Sequence, residues 1–540
     1  MQPRIASTAF ALALTSGLCA QMSGGYTIDP TGSGARNFKT FLDAGKAVFA
    51  QGISGSVIFL VTPGSYNESF FLLPVTGASS TSTITFKSLI PGTVKLTGVA
   101  GDTITFFAGL SWFINSWYVL DGLEFVSAPG SAIRSGEWTQ DIEVRNCTFA
   151  AAHGGSGSPR GLLVANGANT SLRWDVHHCK FTMPSGSTQG LYGSQIGQWK
   201  FHHNDVDINS GNQSIYLINN NAALNRIYNN LFYGAQGSSS SAGVINVDLS
   251  NLNNDICNNT FYVASNGGSL VRTFGTSGNF NRIYANVMAM TGPGTCVNVT
   301  QTGTLQFWES DANVYWAPSG DVGRIGTTPY NTLAAWQAAT TKDAGSISGD
   351  PLFVGATSTP PNLHVLPVSP VLNASTKTPA FVTDDYDGRL RDPNPDIGAY
   401  ELNGFAPYGT GCAGSGSAVP QIGATGTVAV GSTNFAVTLT QALGGTAAAL
   451  MLGADKTTFS GIPLPYALGG GCNLYLAPLV FLGVGTTGNG AGNGTATIPL
   501  VIPNSPGLYG SSTYVGWVVI DSGATNKYGI TNSAAAAIQL

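Results

Sequence analysis

Four of the six histidines fall in two pairs, His177-His178 and His202-His203, with their first members 25 residues apart. Imidazole nitrogens bind zinc or copper and exchange protons near neutral pH. His177 and His202 are therefore candidate metal ligands, with Asp175 as the accompanying carboxylate. Asp175, Lys200 and His202 form a candidate catalytic set: a carboxylate to act as base or hold a cation, an ammonium to stabilise negative charge, and an imidazole to transfer a proton. Arg145, His177, Arg226, Tyr228 and Tyr284 offer charged and aromatic contacts of the kind a sugar substrate uses. Each residue also has a plainer reading. His178 and His203 stand where related segments carry Asn146, Asn229 and Asn258. Asp175 beside Lys200, and Asp255 between Arg226 and Arg282, are opposite charges on successive strands, which pair without further purpose.

Three other groups carry potential chemistry. Asp384, Asp385 and Asp387 before Gly388 offer oxygen ligands for Ca2+, or form a solvated acidic turn; no other cofactor is indicated. Trp174 and Trp199 share strand parity with Val176 and Phe201, which directs them to the core rather than to a sugar, whereas parity leaves Trp112, Trp117 and Trp138 unassigned. Among seven cysteines, Cys147 and Cys179 hold equivalent positions and are either a disulfide or stacked thiols, while Cys412 and Cys472 form the expected C-terminal disulfide.

These residues are positioned by a repeat. Six segments align without gaps: Val144 to Phe149, Val176 to Phe181, Phe201 to Val206, Ile227 to Phe232, Ile256 to Phe261 and Ile283 to Met288. Their first residues are separated by 32, 25, 26, 29 and 27, and Leu120 to Phe125 and Ser310 to Tyr315 extend the series at either end. One short strand per period of about 27 residues suits one coil of a parallel β-helix. Stacking coils turns each motif position into a column. The fourth position reads Cys147, Cys179, Asn204, Asn230, Asn259, Asn286, Asn313, an asparagine ladder in the making. Alternation sends Glu143, Asp175, Lys200, Arg226, Asp255 and Arg282 outward in one column, and Arg145, His177, His202, Tyr228, Cys257 and Tyr284 in the next.

The ends differ from the middle. Met1 to Ala20, with Arg4 ahead of an apolar run, has the plan of a signal peptide cleaved after Ala20. Asn37 is placed to cap an amphipathic helix bearing Phe38, Phe41, Leu42, Val48 and Phe49, which would cover the open end of the coils. Helical character returns at Tyr330 to Ala339. After Phe405 the repeat gives way to short apolar strands (Phe435 to Leu439, Ala448 to Leu452, Leu474 to Leu482, Thr495 to Val501, Tyr514 to Ile520, Tyr528 to Thr531) separated by Gly, Pro and Asn, the pattern of a β-sandwich. The expected domains are 1–20 signal peptide, 21–401 β-helix with its capping helix, and 402–540 sandwich. Charged residues make up 9% and the net charge is -5, so there is no basic footprint for nucleic acid; no segment after the leader is long and apolar enough to span a membrane. A monomer is expected.

The phrases Asp350-Pro-Leu-Phe-Val354, Asp384-Asp-Tyr-Asp-Gly-Arg-Leu-Arg391 and Pro395-Asp-Ile-Gly-Ala-Tyr-Glu401 resemble the closing tail of bacterial secreted right-handed parallel β-helix repeat proteins, within the pectin-lyase-like superfamily. Val61-Thr-Pro-Gly-Ser-Tyr-Asn-Glu68 is similar to their opening segment, and the C-terminal part resembles a module appended to secreted planctomycete-type proteins. The resemblance covers about Tyr26 to Glu401 and implies an all-β fold, a location outside the cytoplasm and a polysaccharide or cell-surface glycan as partner. It does not assign an activity. Pectate lyases cluster calcium-binding aspartates beside a basic residue on one outer face; Asp175, Lys200 and Arg226 supply the types without the clustering. The paired phrases of pectin methylesterases are missing, and His153 is followed by Gly154-Gly155 rather than flanked as in polygalacturonases. Three functions stand: glycan binding along the solenoid with or without cleavage, a non-enzymatic adhesion role, and a polysaccharide lyase or glycoside hydrolase.

Overall fold

A computed structural model describes residues 20–106, 114–136, 139–153, 161–183, 186–208, 211–218, 224–236, 243–248, 253–274, 281–301, 308–366, 368–391, 393–402, 404–426, 428–508, 511–524 and 529–539. Residues 1–19 of the expected leader, Trp112 and Trp138 lie outside the described residues. Contacts divide the chain into two compact units, one of residues 1–184, 188–199 and 220–222, the other of residues 185–187, 200–219 and 223–540. Each is described by itself.

In the first unit the strands Met22–Ile28 and Ile53–Val61 run parallel, joined through the helix Phe41–Gln51. The helix is capped by Thr40, whose hydroxyl accepts the Asp43 N–H at 3.0 Å, and not by Asn37. Asn37 instead lies in the short strand Asn37–Phe38, where its amide donates to the Asp29 carbonyl at 3.0 Å. Glu68, from the Thr-Pro-Gly segment, accepts the Phe41 and Leu42 N–H groups at 3.1 and 3.0 Å, placing a carboxylate at the positive end of the helix. The mid-helix Gly45 is explained by close approach, since a Cβ there would sit 3.2 Å from a Leu72 methyl.

Successive coils then pair in parallel register. Phe59, Phe86, Leu120, Val144 and Val176 form one inward column. Leu96, Phe125, Phe149 and Phe181 form another, its last three rings stacked at 4.9 and 4.6 Å. Trp174 and Trp199 stack inside at 4.8 Å, as their parity requires.

In the second unit the same motif pairs Phe201, Ile227, Ile256, Ile283 and Ser310 in register, and Val206, Phe232, Phe261, Met288 and Tyr315 on the next strand. The third motif position has left-handed backbone throughout: Gly122, Asn146 and His178 in the first unit, and His203, Asn229, Asn258, Ala285 and Ala312 in the second, with φ between 50 and 73°. That conformation favours Gly and Asn, which accounts for those residue types there. The ladder follows at position four. The side-chain amide of Asn204 donates to Asn230 Oδ1, Asn230 to Asn259, Asn259 to Asn286 and Asn286 to Asn313, all at 2.9–3.1 Å. Each amide of Asn230, Asn259, Asn286 and Asn313 also reaches the carbonyl of the first motif residue one coil back. In the first unit the thiols of Cys147 and Cys179 reach the equivalent carbonyls, Leu120 and Val144, at 3.7 and 3.5 Å. Neither is in a disulfide, and their thiols substitute for ladder amides.

The helix Leu333–Thr340 follows the last coils. Its Trp336 packs on Trp308, and Asp343 ends the ladder by accepting from Asn313, Ser310, Tyr315, Trp336 and Ser346. Beyond residue 404, strands 405–408, 530–539, 512–520, 447–453 and 480–485 make one antiparallel sheet, and 421–425, 436–444 and 490–499 another. Val437, Leu439, Leu450, Val515 and Trp517 fill the core they share. The expected strand Leu474 to Leu482 is broken after Leu474, ahead of Pro478, and resumes at Val480. Cys412 and Cys472 are disulfide-bonded. The architecture is an all-β parallel β-helix with a smaller antiparallel β-sandwich following it.

Candidate functional site

In the first unit, strands Ile114–Asp121, Thr139–Arg145 and Asp175–His177 place Asp121, Arg145 and His177 in one outward column, continued by Lys87. Arg145 donates to Glu143 at 2.8 Å and to Asp121 at 3.2 Å, and Lys87 lies 3.7 Å from Asp121. His177 Nε2 lies 3.2 Å from Glu143, and its Nδ1 lies 2.8 Å from His178 Nδ1. Ring N–H donation to an ionised Glu143 leaves His177 Nδ1 as acceptor for the His178 N–H. The His177 hydrogen bond, with Arg145 beside it, holds the Glu143 carboxyl below its ordinary range despite partial burial. These groups satisfy one another. Asp175, opposite Glu143, lines a surface depression of about 200 Å³ with Trp117, Asp141, Glu143 and Arg173. Arg173 forks onto Asp141 at 2.6 and 2.8 Å.

In the second unit Lys200 and His202 lie on strand Lys200–His202, and Arg226 and Tyr228 on Asn225–Tyr228. The column bearing Tyr228, Cys257 and Tyr284 is not open to solvent as alternation alone suggests. The tail crosses it: Phe381 meets the Tyr228 ring edge-on at 5.3 Å, Val382 packs beside it, and Tyr228 and Cys257 are buried. Arg226 lies over the Phe381 ring at 4.0 Å. His202 stacks on Tyr228 at 4.6 Å and pairs its Nδ1 with His203 Nδ1 at 2.7 Å. Tyr284 donates to the Glu309 carboxylate. Asp255 and Arg282 form the expected ion pair at 2.5 Å.

The acidic turn is committed to holding the tail. His203 Nε2 donates to the Asp385 carbonyl at 2.7 Å, and Asn229 donates to the Asp384 carbonyl at 2.8 Å. Asp385 accepts the N–H groups of Asp387, Arg389 and Glu401 at 2.7–2.9 Å, which uses the oxygens a calcium ion would need. Burial, reinforced by the Asp387 charge, pushes its carboxyl up to about 6. Asp387 pairs with His364 at 2.9 Å. Among the described residues, no three His, Cys, Asp or Glu side chains converge as a metal site.

A different column was missed by following one strand per coil. Strands Gly211–Ile218, Gly243–Asp248, Ser269–Phe274, Thr295–Val299 and Asp321–Ile325 align Tyr216, Asn246, Arg272, Asn298 and Arg324 in register. Ile245, Val271 and Val297 point into the core, so by alternation this column lies on the other side of its strands, where Tyr216, Arg272 and Phe274 are partly exposed while Asn246 and Asn298 are buried. Arg324 pairs with Asp321 at 2.7 Å. Arg272 has no carboxylate partner among the described residues, and its Nε lacks any hydrogen-bond acceptor. Asn246 donates to the Gly243 carbonyl at 2.6 Å and Asn298 to Ser269 Oγ at 3.2 Å, yet the Oδ1 atoms of both are buried and unmatched. Phe274 lies beneath the Arg272 guanidinium at 5.3 Å and stacks on Tyr216 at 5.7 Å. Gly243 is required here, because a Cβ would come within 2.8 Å of Asn246 Oδ1 and 2.9 Å of Arg272 Cβ. The legible signal was a constant interval: positions 246, 272, 298 and 324 are each 26 apart and alternate Asn and Arg.

Fold and site together define a parallel β-helix protein with outward polar columns. No family model matches the chain, and no curated protein matches it. Among solved structures, it is similar to a pectin methylesterase mutant in complex with a hexasaccharide, with 10% identity over 55% of this chain and 80% of that one, and a TM-score of 0.26. It is also similar to the full-length tailspike protein 2 of Escherichia coli O157:H7 bacteriophage CAB120, with 12% identity over 90% of this chain and 65% of that one, and a TM-score of 0.25. Likenesses this distant say nothing about the site.

Proposed function

We propose that this protein is exported and binds a polysaccharide along the outer face of its β-helix, with Tyr216, Arg272 and Phe274 as the central contacts. The carrying observation is Arg272, a partly exposed guanidinium with no carboxylate partner among the described residues, set 5.3 Å from the Phe274 ring centre. A sugar chain supplies oxygen acceptors for the guanidinium and an apolar ring face for Tyr216 and Phe274. By contrast the charges around Arg145 and His177 are already paired. A second reading, cleavage with Asp175 as acid or base, is favoured by the position of Asp175 in the wall of the Trp117 depression.

Screening residues 21–540 against immobilised polysaccharides tests the proposal. Arg272→Gln is expected to weaken retention on the preferred polymer at least tenfold, and His177→Ala to leave it unchanged. Failure of every polymer to retain the protein, or equal retention of Arg272→Gln, contradicts it. Release of new chain ends by wild type, abolished in Asp175→Ala, would establish cleavage instead.

A further inference from the structure

A second concavity lies within the second unit, between the turn at 388–390 and the sandwich. Its volume is about 480 Å³, within the usual range for small-ligand sites. Tyr408, Tyr475, Leu390, Leu464 and Pro465 form its walls, with Lys456 and Arg389 at its polar side. The tyrosine hydroxyls are engaged with the protein. Tyr475 Oη meets the Thr410 N–H and hydroxyl at 3.1 Å each, and Tyr408 Oη donates to the Tyr475 carbonyl at 3.1 Å. The rings are therefore left as apolar surfaces. Gly409, at φ +72°, lets Tyr475 lie against the backbone; a Cβ there would fall 2.6 Å from the ring.

The charge is one-sided. Among the described residues, no carboxylate lines the cavity, whereas Arg389 and Lys456 both do. Arg389 is tethered to Asp387 at 3.5 Å, while exposed Lys456 lies 5.9 Å from the Tyr408 ring centre and 5.7 Å from that of Tyr514. Leu390 stands 56% exposed at the rim, an apolar side chain that a bound molecule would cover. We infer that this cavity binds a small monoanion with a flat apolar face, about 15 heavy atoms at most on the volume a water molecule occupies. Tyr408 and Tyr475 stand at 85° to each other, so the flat face rests on one ring with its edge toward the other, and the anionic group meets Lys456. An acidic sugar unit and an aromatic carboxylate both have this chemistry. The inference is independent of the polysaccharide column.

Calorimetric titration of the full mature chain distinguishes the two sources, using glucuronate against glucose and 4-hydroxycinnamate against its amide. At least one acid is expected to bind tenfold or more tightly than its neutral counterpart. Lys456→Gln should weaken that binding at least fivefold, and Leu464→Trp, which fills the cavity without touching its charges, should abolish it while thermal melting stays as in wild type. Binding of glucuronate alone assigns the site to a glycan unit, and of 4-hydroxycinnamate alone to an aromatic acid. Binding of neither acid, equal binding of the neutral compounds, or full binding by both variants overturns the inference.

Discussion

Asn259 accepts both the backbone N–H and the side-chain amide of Asn230 on a single oxygen, at 3.1 and 2.9 Å. Its own amide then donates to Ile227, Cys257 and Asn286. Truncating it leaves several buried groups unmatched at once. Asn259→Ala is expected to lower unfolding stability by roughly 3 kcal/mol, the upper part of the range for orphaned buried polar groups. Urea denaturation followed by circular dichroism measures this, and a loss below about 1 kcal/mol would contradict the ladder's role.

Cys179 provides the converse test. Its thiol points at the Val144 carbonyl, the acceptor that a ladder amide would use, and it is buried and not in a disulfide. Cys179→Asn should fall within about 1 kcal/mol of wild type, because it replaces a weak donor with a strong one of similar volume. Cys179→Leu should cost more than about 2 kcal/mol by overpacking a closed turn. Equal costs for both would show that the position is not part of the ladder.

The tail is fastened by a buried ion pair, Arg391 with Glu401 at 3.0 Å, and Arg391 also donates to Asn229 at 2.9 Å. Arg391→Met leaves the Glu401 carboxylate buried without its partner, which typically costs about 3–5 kcal/mol. Limited proteolysis should then cleave within 366–401 before it cleaves the coils. Unchanged protection of the tail would count against its being held this way.

Asp385 sets a pH dependence. Its folded value of about 6 lies above that of an unfolded aspartate, so the native chain keeps the proton more tightly. The contribution to stability is full below the unfolded value and is lost as pH rises through about 6. Asn does not titrate. The penalty of Asp385→Asn, measured by urea denaturation, should therefore be larger at pH 4.5 than at pH 7, and an equal or smaller penalty at pH 4.5 would refute the shift.

The sequence disclosed the coils because a hydrophobic side chain recurs every 25 to 32 residues from Val144 to Ile283, and from Phe201 onward a ladder asparagine follows it three residues later. It disclosed the Cys412–Cys472 bridge because no other cysteine lies beyond residue 296. Strand parity placed Trp174 and Trp199 correctly but exposed Tyr228 and Cys257 wrongly, since parity states which side a residue faces and not what folds over it. Phe381 and Val382, about 150 residues later, supply that cover. The helix cap moved from Asn37 to Thr40 because the Asn37 side chain already bridges the Thr27 hydroxyl and the Asp29 carbonyl and is not available to a helix. The Arg272 column went unseen for a simpler reason: its strands lack a uniform motif, and only the spacing of 26 marks them.

The most direct measurement is a crystal structure of the mature protein with the oligosaccharide it retains best. Sugar oxygens should lie within hydrogen-bonding distance of the Arg272 guanidinium, with a ring face toward Tyr216 or Phe274. A sugar bound only elsewhere would contradict the account.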